Sequence, residues 1–524
     1  MRVRKTPADA HTLMEVTHQG VRFRNPFMVG SGPTTKTVAQ LVDAERNGWG
    51  AASIKLVIDP APYINKEPRY RWYEEEQFHF FTSEKRLNID EGLRLMEGGR
   101  KHTRDIVLLG NITYSGSDAQ GWVAMSRAFE AAGAHALELN MCCPNMSFNL
   151  DVSAEDGTKR PCSGASLGQH PEAVAHITKE VMKGVKIPVF VKLTGEGGAA
   201  PKVAKPTIAT GCAGVGNGGT RLGVPPIDLY DLKKNVYGLQ DEVSMGCYSG
   251  PWMRPLALRD VYEIRRTIGK QGTIVGFGGV HNWRSAAEMF LVGADFIGIC
   301  TETMLRGFGF LPELIKGLKQ YIKEMGYKSH HELRDLLVKE IVTADRLTIR
   351  DGLAVIDEEK CIGCRKCELP AHCYAITFED RTAEVLAQAK ADGKKLSKQV
   401  AHVEGADCCA CNTCIDVCPV PECITLAKGE YHREKYNSPK VASALDKRCG
   451  YAEADMAASL ASFNAGGGPK AAKLGMPGSF GAAQLQDAPK VAYVTQGGST
   501  HGEAQCAPVP AAAEEEKKEG EPWS

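Results

Sequence analysis

The sequence lacks several features that would assign its class directly. No uninterrupted apolar run approaches the roughly 20 residues that a membrane-spanning helix needs. The basic N-terminal segment 1–7 is not followed by the apolar core of a secretory signal. We therefore expect a cytoplasmic protein that has no association with a membrane.

Net charge is also missing, because 63 lysines and arginines balance 63 aspartates and glutamates. Without a net positive field, nothing in the composition favours nucleic acid as a partner. A strand–Gly-x-Gly-x-x-Gly–helix unit is absent as well, since the glycine-rich run at 214–219 lies in a predicted strand and opens no suitable helix. The sequence therefore predicts no nicotinamide-binding domain of its own.

Short apolar runs alternate with helical patterns from about residue 20 to residue 330, which is typical of β–α units around a parallel sheet. Helical spacing is clear at 121–132, 171–183 and 285–291, whereas 197–210, with two prolines, predicts a poor or remodelled helix. Eight predicted strands over this length fit a (β/α)8 TIM barrel. The predicted strands are 27–30, 52–57, 106–112, 136–141, 188–193, 213–217, 273–277 and 296–300.

The composition divides the chain further. We expect a barrel domain at 1–330, a helical connector at 331–358, a cysteine-rich domain at 359–430 and a C-terminal extension at 431–524. The cysteine-rich domain is interrupted by a Lys/Ala-rich insertion at about 382–400. From about residue 463 the extension is too rich in Gly, Ala and Pro to bury enough apolar area to offset chain entropy. That part is expected to be disordered or draped over the protein.

Ten of the 18 cysteines lie between residues 361 and 423, which favours metal ligation over disulfides in a chain without an export signal. One run has the Cys-x2-Cys-x2-Cys-x3-Cys-Pro spacing of bacterial ferredoxins, whose fourth cysteine reaches the other cluster. In a second run, five residues instead of three precede the fourth cysteine, and no proline follows it. The fourth ligand of that cluster is therefore left open. Zinc is the alternative to iron–sulfur clusters. The spacing assigns Cys361, Cys364, Cys367 and Cys418 to one [4Fe–4S] cluster, and Cys408, Cys411, Cys414 and Cys373 to the other. We expect the remaining thiols, Cys409 and Cys423, to be buried.

The stretch 138–145, Glu-Leu-Asn-Met-Cys-Cys-Pro-Asn, ends a predicted buried strand and opens a loop. The carboxyl ends of strands are where such barrels place their chemistry, so an asparagine and two thiols at this position indicate a functional site. The alternative is that Cys142 and Cys143 are simply small buried residues at the end of a strand.

This octapeptide resembles the active-site segment of the dihydroorotate and dihydropyrimidine dehydrogenases, flavoproteins with the pattern Asn-x-Ser-Cys-Pro-Asn/His. The resemblance covers about 15–330 and, less tightly, 355–425, and a barrel followed by two iron–sulfur motifs is most similar to the dihydropyrimidine dehydrogenases. It implies that Cys143 is the catalytic acid/base and that Cys142 replaces a usual serine. It further implies an oxidoreductase dependent on FMN and iron–sulfur clusters that reduces or forms a C=C bond conjugated to a carbonyl, as between uracil or thymine and the 5,6-dihydro forms.

The resemblance also implies where FMN binds. Lys192 would stand near the flavin N1, and Lys55 follows the second strand, although an ordinary salt bridge is the alternative for Lys55. Glycine-rich loops after the seventh and eighth strands are where such barrels usually cradle phosphate. The implied FMN contacts are Ser31, Gly32, Lys55, Asn140, Lys192, Ser249, Gly250, Gly278, Gly279, Cys300 and Thr301.

The implied substrate contacts are Asn88, Asn140, Asn145 and Asn217. Asparagines at the start of loops are otherwise caps or turn residues. The sequence also departs from the family, because Gly218 stands where Thr or Ser is usual, and no asparagine matches one expected near Tyr114. The same chemistry on another heterocycle or enone is therefore an alternative, as is an electron-transfer subunit that turns over no substrate.

The two cluster motifs, together with the absent dinucleotide fingerprint, predict an electron partner. It would be a flavoprotein subunit that binds FAD and NAD(P)H, or a ferredoxin, docked beside residues 359–425. The assembly is expected to be a homodimer or a heterotetramer.

Overall fold

A computed structural model describes residues 14–59, 70–81, 86–143, 163–234, 237, 243, 245–270, 272–348, 352–370, 372–373, 375–405 and 407–428. The chain divides into two compact units after Val342. Each unit has a hydrophobic core of its own. Among the described residues, no helix is both long and apolar enough to cross a bilayer.

The first unit consists of short strands that alternate with helices. Its strands are β1 (Val16–His18), β2 (Val21–Phe23), β3 (Phe27–Val29), β4 (Ala51–Ser53), β5 (Val57–Ile58), β6 (Tyr70–Tyr73), β7 (Phe78–Phe81), β8 (Val107–Thr113), β9 (Ala136–Met141), β10 (Val189–Leu193), β11 (Gly214–Gly216), β12 (Arg221–Gly223), β13 (Gly246–Ser249), β14 (Ile274–Phe277) and β15 (Phe296–Ile299). Its α-helices are α1 (Val38–Arg46), α2 (Ile89–His102), α3 (Ala119–Ala131), α4 (Gly164–Leu167), α5 (Pro171–Gly184), α6 (Ala200–Ala209), α7 (Arg254–Ile268), α8 (Trp283–Leu291), α9 (Thr301–Arg306) and α10 (Leu311–Glu324).

Eight strands close into a parallel barrel, which confirms the predicted (β/α)8 fold. Around the ring, in chain order, they are β3, β4, β8, β9, β10, β11, β14 and β15, and β15 pairs with β3 to complete it. The predicted second strand is split into β4 and β5, both of which pair with β8. Every residue of β8 and β9 is buried, as expected for strands that are covered on both faces.

Side chains alternate between the two faces of each strand, so the barrel has an inner and an outer core. The outer core lies between strands and helices, and the inner core includes Ala136, Phe190 and Phe296. The β1–β2 hairpin packs on the inner core through Val16 and Phe23. It lies at the amino ends of the strands, which leaves their carboxyl ends for a functional site.

Two predicted segments differ in the structure. The interval 197–210, expected to be a poor helix, contains the ten-residue α6. Its Pro201 lies in the first turn, where a backbone N–H is not needed, and burial of Val203 and Thr207 holds the helix together around the internal Pro206. The predicted helical connector at 331–358 has no α-helix among its described residues; it contains short 3-10 turns and a strand.

The second unit contains the cysteine motifs. Its elements are β16 (Gly352–Ile356), β17 (Ile376–Asp380), α11 (Ala383–Ala391), β18 (Gln399–Val403), α12 (Thr413–Asp416) and β19 (Ile424–Lys428). β16 pairs antiparallel with β19, and β17 pairs antiparallel with β18. The Lys/Ala-rich insertion forms α11 and the turn between β17 and β18. The predicted C-terminal extension at 431–524 lies outside the described residues.

A buried ion cluster ties α7 to the strands that follow it. The Arg265 side chain has no exposed surface, and its Nη2 donates to Asp295 Oδ2 at 2.7 Å. Its Nη2 also donates to the Gly293 carbonyl at 2.6 Å, and its Nε lies 3.0 Å from Asp335 Oδ1. The same Asp295 oxygen accepts the backbone N–H of Ile274 at 2.8 Å. Arg334, which is partly exposed, also pairs with both carboxylates, so two guanidinium groups compensate two buried carboxylates.

We predict that Arg265→Ala lowers the free energy of unfolding of the barrel by about 3 kcal/mol, the lower end of the loss for breaking a buried ion pair, because it removes the fully buried cation while Arg334 still contacts both carboxylates. The matched control is Arg259→Ala on the same helix, whose exposed pair with Glu263 at 2.8 Å should cost at most about 0.5 kcal/mol. Denaturant unfolding measures both variants. Equal losses for the two variants would contradict the prediction.

Candidate active site and cysteine clusters

The carboxyl ends of the barrel strands surround a deep cavity. It encloses about 1040 Å³ of empty space, part of it open solvent. Part of its wall comes from a four-stranded antiparallel sheet, β12–β13–β7–β6, through Phe81, Cys247 and Ser249. Every residue that the sequence predicts to contact FMN lines this cavity, and Cys143 lines it too. The mixture of apolar and polar groups in the lining suits a small organic ligand and a cofactor.

A hydrogen-bonded network centred on Glu138 lies at the carboxyl ends of β8–β10. This carboxylate is 2% exposed and accepts hydrogen bonds from Ser53 Oγ at 2.6 Å and from Asn111 Nδ2. Asn111 Oδ1 in turn accepts from Asn140 Nδ2 at 3.1 Å, and Asn140 lines the cavity. Sequence reasoning missed Asn111 and Glu138 as site residues. The signal for both was a polar residue inside an otherwise apolar predicted strand.

Lys192 is a buried cation in the cavity wall. Its Nζ lies 3.8 Å from the centroid of the Phe277 ring. Burial, the largest single influence, disfavours the ammonium, but the Glu138 carboxylate and the nearby cysteines together outweigh it, and the pKa of Lys192 is raised above its ordinary value. Lys55, also buried, lines the same cavity. Two buried cations make the cavity suitable for an anionic ring or anionic group.

The two adjacent cysteines have different surroundings. Cys142 is buried, its Sγ lies 3.4 Å from Asn140 Oδ1, and burial raises the pKa of this thiol to about 12. Cys143 is half-buried in the cavity wall and packs against Leu56. Its Sγ accepts a hydrogen bond of 3.0 Å from Arg86 Nη2. Cys142 lines the cavity too, and the alternative that both thiols are simply small buried residues does not describe Cys143.

Two of the predicted substrate asparagines do not lie among the residues that line the cavity. Asn88 is exposed and caps α2: its Oδ1 accepts the N–H of Glu91 at 2.9 Å, while the Glu91 carboxylate accepts the N–H of Asn88 at 3.0 Å. Asn217 is fully buried and joins β11 to β14, because its amide exchanges hydrogen bonds of 2.7 and 2.8 Å with the Phe277 backbone. Asn145 lies outside the described residues.

Backbone geometry tests whether a flavin phosphate fits this cavity. Gly278 and Gly279 have φ angles of +111° and +74°, which side-chain-bearing residues rarely adopt. A Cβ on Gly279 would lie 2.6 Å from the backbone nitrogen of Arg254, so only glycine is accommodated there. The Thr301 hydroxyl donates to Ser249 Oγ at 3.0 Å beside these glycines. Backbone N–H groups of glycines, together with side-chain hydroxyls, are the hydrogen-bond donors that a phosphate needs. The residues present therefore fit FMN.

The first group of cysteines surrounds a small apolar cavity in the second unit. Cys361, Cys364, Cys367 and Cys418 line it, as the exchange of fourth ligands predicts. Burial raises the pKa of Cys367 to about 12. A thiol in such surroundings loses its proton only where a cation compensates the thiolate, and this group therefore fits a metal cluster. The expected spare thiol Cys423 is buried beside it.

The second group of cysteines lines another small cavity. Cys373, Cys411 and Cys414 contribute to its wall, and burial raises the pKa of Cys414 to about 11. Cys408 is buried, and its Sγ accepts the backbone N–H of Ala354 at 3.4 Å. Cys408 also adds to the electrostatic repulsion at Cys414, so the predicted ligands lie near one another.

Cys409 is not the buried spare thiol that the sequence predicts. It is half-exposed, and its Sγ lies 3.4 Å from His372 Nδ1. The ligand atoms of His372, Cys373, Cys409 and Cys411 all lie within 4.8 Å of one another. The loop between β18 and α12 and the 372–373 turn bring them together, which spacing along the chain does not reveal. The second metal site therefore has more donors than the cluster needs.

Comparison with known proteins agrees with this architecture. The family model described as dihydroorotate dehydrogenase matches residues 13–322, which is more than half of the chain. The match ends near the close of α10, so it covers the barrel and its cavity.

Named relatives extend the similarity. The PreA subunit of the NAD-dependent dihydropyrimidine dehydrogenase of Escherichia coli K12 is 28% identical over 371 residues, covering 69% of this chain and 85% of the relative. The chloroplastic dihydropyrimidine dehydrogenase (NADP+) of Arabidopsis thaliana is 26% identical over 66% of this chain and 82% of its own. The catalytic subunit of dihydroorotate dehydrogenase B (NAD+) of Pyrococcus abyssi is 29% identical over 62% of this chain and 100% of its own. The chain belongs to the dihydroorotate dehydrogenase family, and within it to the dihydropyrimidine dehydrogenase-like flavin oxidoreductases that act on CH–CH groups.

Proposed function

We propose that this protein reduces, or forms, the C=C bond of a pyrimidine-like ring where that bond is conjugated to a carbonyl. In this proposal FMN occupies the barrel cavity, and two [4Fe–4S] clusters in the cysteine-rich unit relay electrons to or from a partner. The observation that carries it is the position of Cys143. Its half-buried thiol faces a cavity that also presents the buried cation Lys192 and the oriented amide of Asn140.

The residues of the cavity divide the work of such a reaction. FMN, when bound, supplies hydride exchange at its ring. Lys192, whose pKa Glu138 helps to raise, would hold positive charge in the cavity wall and would favour negative charge on a ring bound there. Asn140, whose amide is oriented by Asn111, offers hydrogen bonds at the cavity wall. Cys143 moves the proton at the substrate α-carbon, which separates proton transfer from hydride transfer.

A second candidate keeps this chemistry and changes the substrate to another heterocycle or an enone. Two features favour it: Gly218 stands where the resemblance expects a hydroxyl residue, and the amide of Asn217 is engaged by the backbone of Phe277. An electron-transfer subunit without a substrate is the third candidate. The exposure of Cys143 to the cavity, beside Arg86, favours an enzyme over that candidate.

The clusters would conduct single electrons between the flavin and another protein. Relatives are named as subunits of NAD-dependent enzymes, which supports a partner that carries FAD and the nicotinamide site. A ferredoxin is the alternative partner. Residues 359–430 would form the ferredoxin-like domain that receives it, within a homodimer or a heterotetramer.

We predict that the purified chain binds one FMN and about eight iron atoms, since each [4Fe–4S] cluster takes four thiolates. Metal analysis and flavin release by acid measure the content. Cys361→Ala should roughly halve the iron, whereas Cys409→Ala should retain it if Cys373 and Cys408 complete the second cluster. Zinc in place of iron, or FAD in the barrel, would contradict the assignment.

We predict that Cys143→Ala leaves FMN and iron bound but slows turnover by about 10²–10⁴-fold, the usual value of a positioned proton donor. Cys143→Ser should retain part of the activity because a hydroxyl also exchanges protons. The matched control is Cys142→Ser, which restores the serine usual at that position and should change turnover far less. Flavin-bleaching kinetics with 5,6-dihydrouracil measure all three. Wild-type turnover in Cys143→Ala would rule out the role of this thiol.

We predict that the chain purified alone oxidises NADH and NADPH only negligibly, while reduced viologen bleaches its flavin rapidly. The reason is that the sequence has no dinucleotide-binding fingerprint but has the cysteine motifs of two clusters. Stopped-flow absorbance of the flavin compares the two reductants. Rapid bleaching by NADH without a second protein would show that the chain contains a nicotinamide site.

A further inference from the structure

Four metal-binding side chains of the cysteine-rich unit converge on one point. The ligand atoms of His372, Cys373, Cys409 and Cys411 all lie within 4.8 Å of one another, and Cys409 Sγ is 3.4 Å from His372 Nδ1. His372 is exposed, and Cys373 and Cys409 are half-buried, so an ion from solvent can enter the group. We call these four residues the four-donor site.

The spacing of the four donors fits a single ion. A tetrahedral zinc ion binds sulfur at about 2.3 Å and nitrogen at about 2.0 Å, which places its donors about 3.5–3.8 Å apart. The donors of this site therefore need to approach one another by about 1 Å at most. The thiolates of a cubane bind four different iron atoms, so they stand farther apart than the donors of one ion. Three sulfurs with one imidazole are moreover a ligand set typical of structural zinc.

The four-donor site shares only Cys373 and Cys411 with the second proposed cluster. His372 and Cys409 are not ligands of that cluster, and the sequence motif gives neither of them a role. A thiolate that completes a zinc site is withdrawn from the four ligands that a cubane requires. A chain can therefore hold zinc here or the second cluster, but not both.

Two further cysteines belong to the cluster alone. Cys408 is buried in the core of the unit, and its Sγ accepts the backbone N–H of Ala354 at 3.4 Å. Cys414 lies in α12 and lines the small cavity that Cys373 and Cys411 also line. Neither Cys408 nor Cys414 is a member of the four-donor site. Substitutions can therefore remove the cluster and leave the zinc donors in place.

We propose that the four-donor site binds one zinc ion, and that zinc and the second iron–sulfur cluster exclude each other. Zinc has no redox chemistry, so a chain that holds it here conducts no electrons through the second cluster. The site depends on neither the flavin nor the substrate and goes beyond the proposed function. Only its effect on the electron relay rests on that function.

Removing the cluster while keeping the zinc donors gives a direct test. The full-length chain with Cys408→Ala and Cys414→Ala together is purified from cells supplied with iron and zinc. This cluster-deficient variant should contain about four iron atoms, all in the first cluster, and about one zinc ion. Zinc-edge X-ray absorption should find three sulfurs and one nitrogen around the ion. Wild-type protein from the same cells should contain about eight iron atoms and almost no zinc.

Two further substitutions identify the donors. Adding Cys409→Ser or His372→Ala to the cluster-deficient variant should lower its zinc by about one ion per chain and leave its iron unchanged. The matched control is His402→Ala, which removes an exposed histidine of β18 in the same unit and should keep the zinc. In otherwise wild-type protein, Cys409→Ser and His372→Ala should each retain about eight iron atoms.

A measurement on chains with both cluster cysteines intact separates the result from misfolding of the cluster-deficient variant. Wild-type protein from iron-poor, zinc-supplied cells should contain more zinc than Cys409→Ser protein from the same cells, by about one ion per chain. Supplying iron during growth should remove this difference, because the second cluster then takes Cys373 and Cys411.

Zinc absent from both preparations, zinc bound by sulfur alone, or zinc that survives both Cys409→Ser and His372→Ala would overturn the four-donor site. About eight iron atoms together with about one zinc ion in wild-type protein would overturn the exclusion. The proposed function fails on other observations, namely wild-type protein without iron–sulfur clusters or a flavin that no dihydropyrimidine bleaches.

Discussion

The buried carboxylate of Glu138 is the constraint on which the rest of the site depends. A charge with 2% exposure is tolerated only when it is fully compensated, and here Ser53, Asn111 and Lys192 compensate it. Parallel pairing sets β9 beside β8 and β10, so these partners converge from neighbouring strands. The same compensation raises the pKa of Lys192 and orients Asn140 through Asn111. A structural requirement of the barrel therefore sets both the charge and the geometry of the cavity.

The barrel and much of its cavity could be predicted from the sequence because both follow from local pattern. Buried parallel strands are continuous apolar runs, and β9 was predicted with its observed limits, 136–141. Residues just after strands converge at one edge, so Lys192, Gly278 and Thr301 could be placed together before the structure was known. The cysteine spacing likewise predicted that Cys361 and Cys418 belong to one site, although a long stretch of chain separates them.

The remaining features depend on contacts that no local pattern records. Asn88 and Asn217 have the right residue type at strand ends, but a helix start and a neighbouring backbone use their amides instead. Arg86 reaches Cys143 across 57 positions, and its neighbours in sequence carry no motif that marks it. Pro206 breaks the helical pattern of α6, yet tertiary burial of Val203 overrides the weak propensity.

The cysteines of this chain differ from one another because their surroundings in the structure differ. Cys142 and Cys143 both line the cavity, but their thiols have different neighbours. Cys142 is buried beside Asn140, and burial raises the pKa of its thiol to about 12. Cys143 turns to the cavity and to the guanidinium of Arg86. Burial raises the pKa of Cys367 to about 12 as well, but three further cysteines line the same small cavity, which makes this group a candidate metal site. Of the two adjacent thiols, Cys143 is the one whose sulfur contacts a guanidinium, and this difference in surroundings is why we propose proton transfer at Cys143.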